Sequence, residues 1–293
     1  MKVLVTGAAG QLGRDVMIAL AAKGHQGVGV DIAEMDITNG ASVSRCFSEV
    51  RPDAVIHCAA WTAVDAAEEP DNREKVRSIN AVGTKNIARA CLDYDCKLVY
   101  ISTDYVFGGD GCRPWEPEDE RNPLNFYGQT KYEGECFVQQ ILNQYFIVRI
   151  SWVFGQYGKN FVKTMLSLGR TRKELTVVSD QIGSPTYTVD LSALLVQMIE
   201  SEAYGVYHAS NEGEYISWYE FAEEIFRQAA VEHNEEYGLV HVSPVSSEAY
   251  ASKAARPSNS RLNKTKLLEK GFSPLPHWKD ALSRFLHEIK EKN

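Results

Sequence analysis

The sequence predicts an α/β protein: a doubly wound, largely parallel sheet with a smaller C-terminal α/β lobe. Two observations lead there. In the first half, short β-branched runs alternate with segments of helical periodicity, and such alternation requires βαβ crossovers and a parallel sheet covered on both faces. The first of those runs also ends in a glycine-rich turn that opens a helix.

The elements follow in order. KVLVTG (2–7) reads as the first strand and a helix is expected over about 11–23. QGVGVD (26–31) is the second strand, with a helix near 41–49, and AVIHCA (54–59) has the look of a buried third. From 74 to 92, Val76, Ile79, Val82, Ile87, Ala88 and Cys91 recur at near-helical spacing and predict one long amphipathic helix. KLVYIST (97–103), a helix from Tyr127 to about Gln144 and FIVRIS (146–151) complete the first half. Beyond it lie LTVVSD (175–180), a helix at 189–200, GVYHAS (205–210), a helix at 217–229 and LVHVSPV (239–245). We place the boundary at residue 150, with 1–150 as one domain and 151–293 as a lobe that lends an element or two back to the main sheet.

Composition narrows the function classes. Of 293 residues, 44% are hydrophobic and 24% charged, the profile of an ordinary globular protein. A net charge of −8 argues against a non-specific nucleic-acid binder, while leaving room for a local basic pocket for a small anion. No apolar stretch reaches membrane-spanning length. A strand beginning at Lys2 leaves no room for a signal peptide, so a cytoplasmic location is expected. The six cysteines are scattered without a CxxC pair, as expected of free thiols in a reducing compartment. The seven histidines are spread singly, and no metal is expected.

The turn after the first strand reads TGAAGQLG, so Gly7, Gly10 and Gly13 form GxxGxxG between a strand and a helix. That context is the one a dinucleotide needs. The first glycine makes the tight turn, the second lets a pyrophosphate approach the backbone, and the third lets helix lie close on strand. Free N–H groups at the helix N-terminus then face the phosphate. The expected fold is therefore of Rossmann type. Asp31 ends the second strand, where an acid accepts hydrogen bonds from the adenosine ribose; it would repel a 2′-phosphate and slightly favours NADH over NADPH. Arg14 lies near enough to soften that preference.

KLVYIST ends in Ser102, Thr103 and Asp104, and in an open parallel sheet ligands bind beyond the carboxyl ends of the strands. Tyr127 and Lys131 follow, four apart on one helix face. Of the fourteen tyrosines, Tyr127 alone has a lysine four positions on. Hydride arriving at a carbonyl carbon builds negative charge on oxygen, which a proton donor must meet. A free phenol has a pKa of about 10. A nearby ammonium would lower it and let the phenol cycle near neutrality.

Together GAAGQLG (7–13), CAAWT (58–62), IST (101–103) and YGQTK (127–131) resemble the extended short-chain dehydrogenase/reductase family. The ordered succession HCAAWTAVDAAE (57–68), STDYVF (102–107), PLNFYGQTK (123–131), SWVFGQYGKNFVKTM (151–165), DQIGSPTYTVDL (180–191) and ARPSNSRL (255–262) is similar to its dTDP-4-dehydrorhamnose reductase branch, over nearly the whole chain. The resemblance implies reduction of a nucleotide-linked 4-keto sugar, the last step of dTDP-L-rhamnose synthesis. It implies a catalytic Thr103, Tyr127 and Lys131, with Thr103 orienting the carbonyl and Lys131 also holding the nicotinamide ribose. Gln11 and Leu12 would meet the pyrophosphate; Asp36 and Ile37 would touch the adenine edge; Ala60, Trp61 and Thr62 would line the cofactor. Thr103 and Asp104 would touch the sugar, Trp152 would pack on it, and Arg256 would meet a phosphate of the nucleotide. Asn80 matches either an active-site amide or a helix-packing one. Some members pair through a magnesium held by glutamates that find no match here, so neither metal nor that dimer is implied, and a homodimer stays open.

Two rivals remain at this level. An epimerase or 4,6-dehydratase shares the motifs, but a dehydratase commonly carries Asp-Glu after the threonine, and here Asp104 is followed by Tyr105. A non-catalytic regulatory subunit of methionine adenosyltransferase shares the fold, and the intact Thr103, Tyr127 and Lys131 argue against it.

Overall fold

The computed structural model describes residues 1–249 and 252–290. Its centre is a six-stranded sheet built from β1 (Lys2–Thr6), β2 (Gln26–Val30), β3 (Ala54–His57), β4 (Lys97–Thr103), β5 (Tyr145–Ile150) and a later strand, Gly205–Ala209. The order, from that later strand, is then β5, β4, β3, β1 and β2, and every pairing is parallel. The chain runs from β1 outward to β2, then crosses to β3 and continues the other way. The switch point between β1 and β3 is where such sheets bind ligands.

Strand alternation explains the two helix layers. Val3 and Val5 face one side, with Val99, Phe146 and Val148, and pack on Leu12, Val16 and Leu20 of α1 (Gln11–Ala22). Leu4, Val55, Leu98 and Ile147 face the other. There they meet Val43 and Phe47 of α2 (Gly40–Val50). After a short α3 (Val64–Ala67) and α4 (Pro70–Arg77), Ile87 and Cys91 of α5 (Thr84–Asp93) and Val138 of α6 (Phe126–Ile141) join the same layer.

The single long helix expected over 74–92 is interrupted. A π-helical turn, Ser78–Gly83, separates α4 from α5. Its wider winding carries Asn80, whose amide bonds both backbone groups of Trp61 and the Thr130 hydroxyl.

The second half continues through β6 (Val153–Phe154), α7 (Phe161–Gly169), β7 (Glu174–Val178), β8 (Ile182–Gly183), β9 (Thr186–Tyr187), α8 (Thr188–Ile199) and β10 (Gly205–Ala209). It ends with β11 (Ile216–Ser217), α9 (Trp218–Glu232), β12 (His241–Val245), α10 (Thr265–Glu269) and α11 (Trp278–Lys290). β10 is the element returned to the main sheet, on β5, and α8 covers the α1 face. The rest surrounds a second core in which Phe154 stacks on Tyr187 and meets Phe221 and Phe285 edge to face. α7 and α11 lie outside the helices expected from the sequence.

Candidate active site

A cleft of about 1180 Å³ opens over the carboxyl ends of β1, β3, β4 and β5. On its floor the glycine loop turns at Gly7, whose φ of +65° is left-handed and whose missing Cβ would stand 2.8 Å from the Ala59 backbone nitrogen. A Cβ on Gly13 would lie 2.2 Å from the Gly7 carbonyl oxygen, so only glycine lets α1 start this close to β1. No side chain caps the N-terminus of α1, which leaves its N–H groups to the cleft. Asp31 accepts a hydrogen bond from the Ala9 backbone at 2.9 Å and ties the loop to the end of β2. The second half closes on the same loop: Asn160 donates to Gln11 at 2.9 Å, and the Arg14 guanidinium lies over Tyr157.

Across the cleft, β4 delivers Thr103 and Asp104, and the first two turns of α6 deliver Tyr127 and Lys131. Asn125 caps α6 by accepting from Gly128 N, and this fixes where the tyrosine emerges. The Thr103 hydroxyl donates its proton to Asp104 Oδ1 at 3.0 Å. It also accepts from the Tyr105 backbone at 3.2 Å.

Burial sets the electrostatics. Lys131 is 3% exposed, and desolvation pulls its pKa down to about 7 against the pull of Glu135. Asp104, also 3% exposed, is raised by burial to about 6. Burial pushes the Tyr127 phenol well above its ordinary range, and the Asp104 carboxyl pushes in the same direction. From the YxxxK spacing, Lys131 is expected to lower that phenol. The structure differs: the Lys131 ammonium rests over the Tyr100 ring, 4.2 Å from its centroid, and burial prevails. Glu135, one turn beyond Lys131, is 0% exposed. It receives the Ser102 hydroxyl at 2.6 Å and a bidentate pair from buried Arg149 at 2.9 and 2.8 Å.

A family model described as the RmlD substrate binding domain matches residues 1–291. The chain belongs to this family. It is 44% identical to a dTDP-4-dehydrorhamnose reductase from Bacillus anthracis solved in complex with NADP; 98% of this chain and 99% of that one are covered, with a TM-score of 0.91. It is 37% identical to the dTDP-4-dehydrorhamnose reductase of Aggregatibacter actinomycetemcomitans, over 96% of this chain and 97% of that one. It is 36% identical to a dTDP-4-keto-6-deoxy-D-glucose reductase of Streptomyces niveus, over 96% and 95%.

In this RmlD-family chain the cleft gathers Gly7, Gly10, Gln11, Leu12, Asp31, Asp36, Ile37, Ala60, Thr62, Thr103, Asp104, Tyr127, Lys131 and Trp152. Three expected residues are not in its lining. Gly13 lies beneath the loop. The Trp61 indole donates to the Ala63 carbonyl and sits beside Lys75. Arg256 pairs with Asp65 at 2.7 Å. Asp36 is engaged locally, accepting from both N–H and hydroxyl of Thr38. Asn80 acts as the packing amide, through its bonds to the Trp61 backbone and Thr130. Lys159 and Trp218 are among the lining residues that were not expected from the sequence. Lys159 follows the second glycine of GQYGK, a signal that was legible. Trp218 begins α9, and its ring stacks on Trp152 at 3.8 Å and 16°; nothing in the sequence joins the two. Trp152 is itself held at a left-handed φ of +49°.

Proposed function

We propose that this chain reduces the 4-keto group of dTDP-4-dehydro-L-rhamnose to give dTDP-L-rhamnose, using a reduced nicotinamide cofactor. One observation carries the reading: Thr103, Tyr127 and Lys131 share a single cleft with the glycine loop, in a chain similar along its length to reductases of that name. The cradle fits a dinucleotide, because its turn leaves space only where side chains are missing and the α1 N–H groups are uncapped. Gly7, Gly10, Gln11 and Leu12 would hold the pyrophosphate and Asp31 the adenosine ribose. Ala60, Thr62 and Lys131 would line the cofactor further along the cleft. When bound, the cofactor supplies hydride.

The protein's own part is to hold the carbonyl and move a proton. Tyr127 gives its proton to the oxygen as negative charge develops there, and its high pKa keeps that proton in place until then. The Lys131 cation stabilises the phenolate left behind. Trp152, backed by Trp218, offers an apolar wall for the sugar. Residues 1–150 serve the cofactor and 151–293 mainly the sugar. The six free thiols suit a cytoplasmic enzyme. Among the described residues no helix is long and apolar enough to cross a membrane.

The test is direct: purified protein, dTDP-4-dehydro-L-rhamnose, and NADH or NADPH. Cofactor oxidation with dTDP-L-rhamnose as product supports the reading and ranks the cofactors, NADH being slightly favoured by Asp31. Turnover only with the D-configured 4-keto-6-deoxyglucose nucleotide moves the substrate to that of the Streptomyces niveus relative. Bound cofactor without turnover of either sugar overturns the reading.

A further inference from the structure

The cations lining the cleft, among the described residues, are Lys75, Lys131 and Lys159, and carboxylates outnumber them. A dinucleotide brings a dianionic pyrophosphate into this field, so the place of each cation matters. Two of the three are engaged elsewhere. Lys75 sits over the Trp61 ring, 5.7 Å from its centroid, and Lys131 over the Tyr100 ring at 4.2 Å. Lys159 has no hydrogen bond, ion pair or ring contact among the described residues.

Lys159 rides on a short arm, residues 155–160, that joins β6 to α7. The arm is pinned to the glycine loop from two sides. Buried Asn160 donates to Gln11 Oε1 at 2.9 Å and to the Gly155 carbonyl at 2.7 Å, while its Oδ1 accepts from Lys163 N at 3.0 Å. All of that amide's bonding groups are therefore used in holding the arm in place. The Arg14 guanidinium lies over the Tyr157 ring, 4.9 Å from its centroid. Behind the arm, the Lys163 ammonium donates to the carbonyls of Gln156 and Gly158, the second at 3.1 Å. Gly158 turns the chain at a left-handed φ of +69°, and a Cβ there would stand 3.6 Å from the Gln11 Cβ. The next residue, Lys159, is thus set beside the uncapped N-terminus of α1.

We propose that Lys159 is a cofactor-binding residue, the counter-ion of the dinucleotide's pyrophosphate, brought to the glycine loop by an arm of the second half. This rests on the nicotinamide-cofactor reading above. The loop's N–H groups and the helix N-terminus fix the position of a phosphate, but together they carry only about half a positive charge. Lys159 adds a full one. The pyrophosphate is then held between the two halves of the chain, by backbone from the first and by an ammonium from the second. The sugar nucleotide also carries a diphosphate. The arm's pins assign the lysine to the cofactor, because Gln11 and Arg14 both belong to the first turn of α1.

The experiment titrates wild type, Lys159→Gln and Lys159→Arg with reduced cofactor and with ADP-ribose, which keeps the pyrophosphate and lacks the nicotinamide ring. Calorimetry at low and high salt reads the binding. Lys159→Gln should raise both dissociation constants by about three- to tenfold, alike for the two ligands. The difference from wild type should narrow in high salt, because an exposed charge is screened. Lys159→Arg should keep most of the affinity. The Tm without ligand should not move, since the side chain is exposed and holds nothing in the free protein. The KM for the sugar nucleotide, measured at saturating cofactor, should stay within about twofold. An ADP-ribose dissociation constant unchanged in Lys159→Gln overturns the assignment. A risen KM for the sugar nucleotide with unmoved cofactor binding also overturns it, and gives the lysine to the substrate's diphosphate. Both ligands are read by binding alone, so the result does not depend on turnover of any 4-keto sugar. A wild type that binds neither ligand overturns the cofactor site and the assignment with it.

Discussion

Lys131 stands one turn after Tyr127 on α6, yet its ammonium lies over the ring of Tyr100, 4.2 Å from the centroid, and makes no hydrogen bond to the Tyr127 phenol. The two residues share a helix face without sharing a proton. Tyr127 therefore rests fully protonated, and Lys131 is a cation weakened by its burial.

Tyr127→Phe removes the proton donor and leaves the cradle intact. Turnover should fall by about 10²- to 10⁴-fold, the range general acid catalysis supplies. The cofactor dissociation constant should stay within about threefold, since the glycine loop is untouched. Titration of cofactor fluorescence alongside initial rates checks both; undiminished turnover removes Tyr127 from the mechanism.

The Lys131 ammonium is charged below its pKa of about 7 and loses its charge as pH rises through that value. The kcat/KM of the wild type should accordingly decline on the alkaline side. In Glu135→Gln the nearest anion is gone, so that limb should move to lower pH. The same change strands Arg149, 1% exposed, without its partner. Breaking such a buried pair costs about 3–5 kcal/mol, which a lowered Tm would report. An unmoved limb would mean that Glu135 does not tune the lysine.

Trp218→Ala takes the support from behind Trp152. Aromatic pairing contributes about 0.5–1.5 kcal/mol, so the KM for the sugar nucleotide should rise roughly two- to tenfold, with kcat little changed. Trp218→Phe should restore most of it. Equal KM values for wild type and the alanine variant would remove the wall from the binding site.

Gly13→Ala places a methyl 2.2 Å from the Gly7 carbonyl oxygen. Helix and turn must separate, at a cost of about 1–3 kcal/mol, and the cradle opens with them. Cofactor affinity should collapse before the fold does, which calorimetric binding set against thermal unfolding would distinguish.

Cys58 lines the cleft, but burial pushes its thiol up to about 12. Thiolate is the reactive form, so Cys58 should resist iodoacetamide at neutral pH while exposed Cys112 reacts. Peptide mass spectrometry after brief labelling decides it. Rapid alkylation of Cys58 in the native protein would show that the cleft is wetter than its burial indicates.

What the sequence by itself determined is whatever repeats locally or is demanded by one turn. β-branched runs between helical periods required a parallel sheet, GxxGxxG between strand and helix required a cradle, and YxxxK required a shared helix face. Each depends on residues a few positions apart, so the periods of strand and helix carry the information. Only the tertiary structure decided what meets across the chain. Trp218 reaches Trp152, Asn160 reaches Gln11 and Arg256 reaches Asp65 because separate elements pack together, and no spacing encodes those meetings. The π-turn at Ser78–Gly83 was hidden because its flanks keep helical periodicity on either side. The protonation states were hidden for a deeper reason: a pKa depends on how much water a group loses, and burial exists only once the chain has folded. Lys131, Tyr127 and Asp104 could be named from the sequence, but which of them holds a proton near neutrality is a property of the packed cleft.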